Sequence, residues 1–110
     1  MARLVKGDVV VVPFPFSDLS EAKRRPALVL TPLPGDDVIL CQITSQNVID
    51  DYAICLDAED FEEGSLNKPS NIRPNKIFTA DLHIILYKIG HINTEKIAEV
   101  IEKICEILSN

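Results

Sequence analysis

The hydrophobic period changes once along this chain, and that change constrains the fold more than any other feature. Ile97, Val100, Ile101, Ile104 and Leu108 recur at helical spacing, while Lys96, Glu99, Glu102, Lys103 and Glu106 fill the opposite face. Asn93 is a suitable N-cap, and Glu95 lies in the first turn, where the helix dipole favours a carboxylate. Upstream of this one helix, apolar residues come in short runs cut by proline and glycine. Gly7-Asp8 is a turn signal that opens a β-branched run over 9–12, and Pro13 and Pro15 close it. Pro26 starts a run over 27–31 that Pro32, Pro34 and Gly35 end. Residues 37–44 alternate, with Ile39, Cys41 and Ile43 expected on the core face and Val38, Leu40, Gln42 and Thr44 on the other. Further strands are expected over 52–56, 71–79 and 84–89, with a loop over 17–25 and an acidic connection over 57–70 containing a possible helical turn. The expected class is mainly β with a C-terminal α-helix. The strands, five to six or more and all short, form one small, strongly bent β-barrel domain over 1–110, on which the helix packs.

At 110 residues, 46% hydrophobic and 25% charged, the composition is that of an ordinary globular domain and excludes intrinsic disorder. The formal charge of −6, taken alone, argues against nucleic acid as a partner. Its distribution argues otherwise. Residues 36–65 hold Asp36, Asp37, Asp50, Asp51, Asp57, Glu59, Asp60, Glu62 and Glu63 and no base, whereas 1–30 and 66–81 are each net positive. The expected surface therefore has a basic groove near 23–25 and 68–76 and an acidic flank. Cys41, Cys55 and Cys105 lack zinc-like spacing and read as buried, reduced thiols. The N-terminus lacks the apolar core of a signal peptide, and no run reaches membrane-spanning length, so a cytoplasmic location is expected.

Three clusters carry chemistry. Lys23-Arg24-Arg25-Pro26 sets three cations before a proline that forces Arg25 into extended backbone, in strand phase with Ala27 and Val29. A guanidinium aimed this way by a sheet can offer its fork to phosphate oxygens; a solvated basic loop is the plainer reading. Thr44-Ser45-Gln46 ends the alternating strand with two hydroxyls and an amide, which suit a phosphate or a base edge but are also ordinary at strand ends. Ser70-Asn71-Ile72-Arg73-Pro74-Asn75-Lys76 repeats the Arg-Pro restriction, with a cation three residues on. His83 and His91 have no second ligand at metal spacing and read as structural. No catalytic triad, phosphate-binding glycine loop or metal motif is present, so no cofactor is expected.

The frame Gly7-Asp8-Val9-Val10-Val11-Val12-Pro13-Phe14-Pro15-Phe16, Ser17-Asp18-Leu19-Ser20, then Lys23-Arg24-Arg25-Pro26-Ala27-Leu28-Val29-Leu30 resembles the PemK/MazF family of toxin endoribonucleases. Ile43-Thr44-Ser45 is similar to that family's second motif, and the order of strands and helix follows it along the chain. The resemblance implies an SH3-like barrel that forms a homodimer. It also implies metal-free cleavage of single-stranded RNA in a groove near the dimer interface, with a cognate antitoxin whose flexible tail blocks that groove. By position, Arg25 and Thr44 become the catalytic pair, and Lys23, Arg24, Ser45, Gln46, Arg73 and Lys76 the substrate contacts. Two departures stand out: Glu21-Ala22 lacks the glycine often found in that loop, and the family varies near Lys76. The implied chemistry is attack of a ribose 2′-OH on the adjacent phosphate, with Arg25 stabilising the phosphorane oxygens and Thr44 orienting the phosphate. The alternative is a non-catalytic SH3-like barrel that acts by binding protein, as a gyrase poison or as a degenerate toxin.

Overall fold

The structure, a computed structural model, describes residues 3–14 and 23–110. Most of the expected 17–25 loop, with Glu21 and Ala22, lies outside the described residues. Among the described residues seven strands form: β1 (Asp8–Phe14), β2 (Lys23–Pro32), β3 (Asp37–Thr44), β4 (Ile54–Leu56), β5 (Phe61–Gly64), β6 (Ser70–Asp81) and β7 (Tyr87–Ile92). They make one antiparallel sheet in the order β4-β6-β3-β2-β1-β7-β5, followed by helix α1 (Thr94–Ser109). Register shifts at Val9/Val10, Val29/Thr31, Cys41/Gln42 and Phe61/Glu63 interrupt four of its ladders. Each such bulge bends its strand and adds twist, which is how so short a sheet curls into a half-barrel.

The β-branched runs and the helical stripe form the elements expected of them, and the differences have local causes. β2 begins at Lys23, four residues before the expected run, because it pairs with β1 from Phe14–Lys23 onward, while the β2–β3 ladder starts only at Ala27–Gln42. At Pro26 the strand is paired on the β1 side alone, where a missing N–H is tolerated. β6 likewise runs through Pro74, across the interval where its register against β3 jumps from Arg73 to Ile77. The strand expected over 84–89 begins only at Tyr87, because Leu82–Ile84 forms a 3-10 turn. β5 was not expected at all, since Phe61–Gly64 has no apolar alternation. It exists by pairing with β7, where Gly64 and Gly90 lie opposite each other. A Cβ on Gly64, whose φ is +71°, would fall 2.0 Å from the Ile89 carbonyl oxygen, so only glycine allows that approach.

The sheet is buried on both faces over much of its width, and this overrides the alternation read in β3. One face packs Val9, Leu28, Cys41, Ile43, Ile72 and Ile92 against Val100 and Ile104 of α1. The other gathers Leu4, Val10, Val12, Ala27, Val29, Val38, Leu40, Ala80 and Ile85. Val38 and Leu40, expected outside, are therefore core. Burying each of the two helix side chains stabilises the docked helix by about 1.5–3 kcal/mol, and the Asn93 side chain caps it by accepting from the Lys96 N–H at 2.8 Å. Leu108 at the end of the stripe stays 75% exposed, beyond the sheet. Of the thiols only Cys41 is buried; Cys55 and Cys105 are exposed, contrary to expectation, because Cys55 points outward from edge strand β4 and Cys105 lies off the buried line of α1.

Candidate nucleic-acid interface

Strand phase assembles the site. Ala27 of β2 stands opposite Gln42 of β3, and Gln42 opposite Arg73 of β6. Two residues further along β2 and β3, on the same face, stand Arg25 and Thr44, and Thr44 is opposite Asn71. The β1–β2 register runs unbroken from Phe14–Lys23 to Val9–Leu28, and the β3–β6 register from Gln42–Arg73 to Thr44–Asn71, so no bulge turns either residue away. The end of the second-core face thus carries Arg25, Gln42, Thr44, Asn71 and Arg73 above an apolar floor of Val12, Ala27 and Leu40. The Arg-Pro dipeptide put Arg25 in this phase, as its sequence implied.

The other expected contacts divide. Ser45 and Gln46 continue from β3 into an exposed bend, where the Gln46 N–H donates to Thr44 Oγ1 at 3.2 Å and the Gln46 carbonyl accepts from Asn71 Nδ2 at 3.3 Å. This turn holds the Thr44 hydroxyl beside a hollow of about 330 Å³ lined by Thr44, Gln46, Asn47, Ile49, Asp50 and Arg73 among others. Lys23 is exposed at the start of β2, and Lys76 is exposed on the stretch of β6 that bulges between Arg73 and Ile77. Arg24 faces the opposite way from Arg25, as alternation requires. It lines a separate pocket of about 270 Å³ with Val11, Pro26, Asn67 and Tyr87.

One charged residue of this surface was not found from sequence. Asp50 Oδ2 lies 3.0 Å from Arg73 Nη2, while its Oδ1 accepts the backbone N–H groups of Tyr52 and Ala53 at 2.9 and 3.0 Å. The Tyr52 N–H foremost, then those of Ala53 and the Arg73 guanidinium, hold the Asp50 carboxyl below the ordinary aspartate range. An acid thus stands inside the groove whose sequence suggested only bases. The one readable signal was an Asp ahead of an apolar strand, the pattern of an Asx turn; nothing announced a partner 23 residues on.

Both histidines make local contacts away from Arg25 and Thr44. His91 Nδ1 lies 2.8 Å from the buried Asp8, and His83 Nδ1 lies 2.6 Å from Asp81 on the surface. Among the described residues no helix is long and apolar enough to cross a membrane.

A family model described as PemK-like, MazF-like toxin of type II toxin–antitoxin system matches residues 5–108. The fold is similar to that of MazF from Deinococcus radiodurans, with a TM-score of 0.76 and 22% identity over 97% of each chain. A mycobacterial endoribonuclease solved in complex with its cognate antitoxin gives a TM-score of 0.77 at 11% identity, covering 97% of this chain and 96% of that one. The Mycobacterium tuberculosis toxin MazF-mt6 gives 0.72 at 19% identity, covering 93% and 96%. Among curated protein sequences nothing matches.

Proposed function

The chain belongs to the PemK-like, MazF-like family of type II toxins, and from that premise we propose that it is a sequence-specific endoribonuclease acting on single-stranded RNA. The observation that carries this reading is the convergence of Arg25 and Thr44 at one end of one sheet face, from different strands and 19 residues apart in sequence. In the proposed reaction a ribose 2′-oxygen attacks the adjacent phosphorus as its proton is lost. The bond to the 5′-oxygen breaks, that oxygen takes up a proton, and the products are a 2′,3′-cyclic phosphate and a 5′-hydroxyl. Arg25 offsets the charge that builds on the non-bridging oxygens. Because a guanidinium is a permanent donor, its role is electrostatic and not a proton shuttle. Thr44 orients the phosphate, its hydroxyl fixed by the Gln46 N–H. Lys23 and Lys76, both exposed, extend the cationic track for flanking phosphates, and Ser45 and Gln46 border it on the exposed bend after β3.

A cytoplasmic homodimer neutralised by a cognate antitoxin completes the proposal. The dimer is supported by Ile84 and Leu86, each more than 40% exposed, which flank the second-core residue Ile85.

The test is incubation of the purified protein with a long unstructured RNA in EDTA, followed by mapping of the cut ends. Discrete cuts with cyclic-phosphate ends are expected. Arg25→Ala should slow cleavage on the order of 10²- to 10³-fold, the usual effect of losing one such donor, with an unchanged thermal melt. Near-wild-type cleavage by that variant refutes the assignment of Arg25. Intact RNA with stalled gyrase would favour the protein-binding alternative.

A further inference from the structure

We propose that Arg73 reads a nucleobase and not a phosphate, in a specificity pocket that Asp50 closes beside Thr44; the inference rests on the RNA-cleaving function proposed above. Arg73 and Asp50 meet at 3.0 Å with their side chains only 23% and 21% exposed, so the pair presents little net charge. A phosphate drawn to this guanidinium would sit within a few ångströms of a carboxylate, and the repulsion would offset the attraction. Asp50 does not readily swing aside, because Oδ1 is held by the two N–H groups of Tyr52 and Ala53. Arg25 differs: among the described residues no carboxylate pairs with it.

The chemistry of the pair matches a base edge. A phosphate offers only acceptors, whereas a nucleobase edge offers a donor beside an acceptor. Asp50 Oδ2 accepts one bond from Arg73 and has capacity for another, and the Arg73 fork has N–H groups to spare. The hollow of about 330 Å³ is large enough for one planar base. Ile49, fully exposed on its rim, offers an apolar contact for a ring face. The turn around Gln46 is tied to Thr44 on one side and Asn71 on the other, so the hollow is preformed. Adjacency to Thr44 makes the base read here a near neighbour of the scissile phosphate.

Phosphate and base contacts leave different signatures. Loss of a phosphate contact weakens binding to every sequence and lowers the salt slope by about 0.7 per phosphate on a single strand. Loss of a base contact relaxes preference at one position and leaves the slope alone. The test compares wild type, Arg73→Gln, Arg73→Lys and Asp50→Asn. Cut sites are mapped on long RNA, and affinity for a 2′-O-methyl oligonucleotide carrying the preferred site is measured from 50 to 200 mM salt. Arg73→Gln should lose roughly 5- to 100-fold of discrimination at one position with an unchanged slope. Arg73→Lys, which keeps the charge and loses the fork, should lose the same discrimination, and it serves as the check if the Gln variant folds poorly. Asp50→Asn, which frees the guanidinium, should steepen the slope and alter the base preferred at the same position. A slope that falls with Arg73→Gln while base preference survives, or full preference retained by Arg73→Lys, overturns the inference and leaves the nuclease reading intact. A wild-type protein that neither cuts nor binds RNA overturns both.

Discussion

Replacing Asp8 with alanine should cost about 3 kcal/mol of stability. This carboxylate is 1% exposed, and three donors converge on it: the Val5 N–H at 2.9 Å, His91 Nδ1 at 2.8 Å and Lys88 Nζ at 3.3 Å. Hydrogen bonds to a charged group contribute roughly 1.5–3 kcal/mol each, which would make the loss larger. Two effects reduce it. Removing the carboxylate also removes the cost of having buried it, and its partners are not abandoned, because Lys88 retains Glu63 at 2.8 Å and His91 lies 3.7 Å from Glu62. Lys88→Met should cost less than about 1 kcal/mol, since the ammonium is 38% exposed and its pairing is screened. For a domain with roughly 5–15 kcal/mol in total, 3 kcal/mol lowers Tm by about 12–20 °C. Urea titration at fixed protein concentration gives the difference from the shift in midpoint at constant slope. A loss below about 1 kcal/mol for Asp8→Ala, or equal losses for the two variants, would refute the reasoning. The consequence for sequence reading is that the Gly-Asp frame is a structural staple. Asp8 ties β1 to β7, and a Cβ on Gly7, at φ +97°, would press within 2.3 Å of Ile97 on α1.

Two further outcomes follow from titrating groups. Asp81, and then Asp36, hold the His83 imidazole above its ordinary value of 6.5, so its contribution to stability is complete below 6.5 and is lost as pH rises through the folded-state value; an NMR titration should place its midpoint above 6.5, Asp81→Asn should bring it back, and an unmoved midpoint would contradict the pairing. Burial pushes the Cys41 thiol up to about 12, leaving about one thiol in ten thousand ionised at pH 8, so a thiol reagent should modify Cys55 and Cys105 in the native protein and Cys41 only after unfolding; three rapid equivalents would show that the core opens.

What the sequence disclosed, and what it withheld, divides along the range of the interactions involved. Helix α1 was readable because its stripe, its Asn93 cap and its first-turn acid are local, and β3 was bounded correctly by the Gly35 turn and the polar Thr44 end. The strand phase of Arg25 and Thr44 was readable because a proline and a strand end fix it without reference to the rest of the chain. β5 was not, because Phe61–Gly64 becomes a strand only through its pairing with β7. The second core was hidden for the same reason: Leu4, Val38 and Ile85 come from three separate segments and meet only in the folded sheet. The Asp50–Arg73 pair joins a loop to a strand across 23 positions, and no spacing rule connects them.

The same distinction decides how far net charge bears on RNA binding. The total of −6 would count against a nucleic-acid partner if the charges were spread evenly. Instead the acids cluster over 36–65, and acids from that stretch and outside it occupy three other cations: Asp8 and Glu63 take Lys88, Asp60 and Glu99 take Lys96, and Glu106 takes Lys103. Among the described residues no carboxylate pairs with Lys23, Arg24, Arg25 or Lys76. Four of the cations left over thus lie at the start of β2 and on the β6 bulge, and Arg3, Lys6 and Lys68 lie outside both. Even there the strand divides them, since consecutive residues of β2 point Arg24 and Arg25 to opposite faces and only Arg25 faces Thr44. A run that reads as one basic cluster is divided in the fold: Lys23 and Arg25 share the face on which the proposal places phosphates, and Arg24 lies on another surface. Specificity must then come from contacts that are not phosphate charges, which is the part the proposal gives to Asp50 and Arg73.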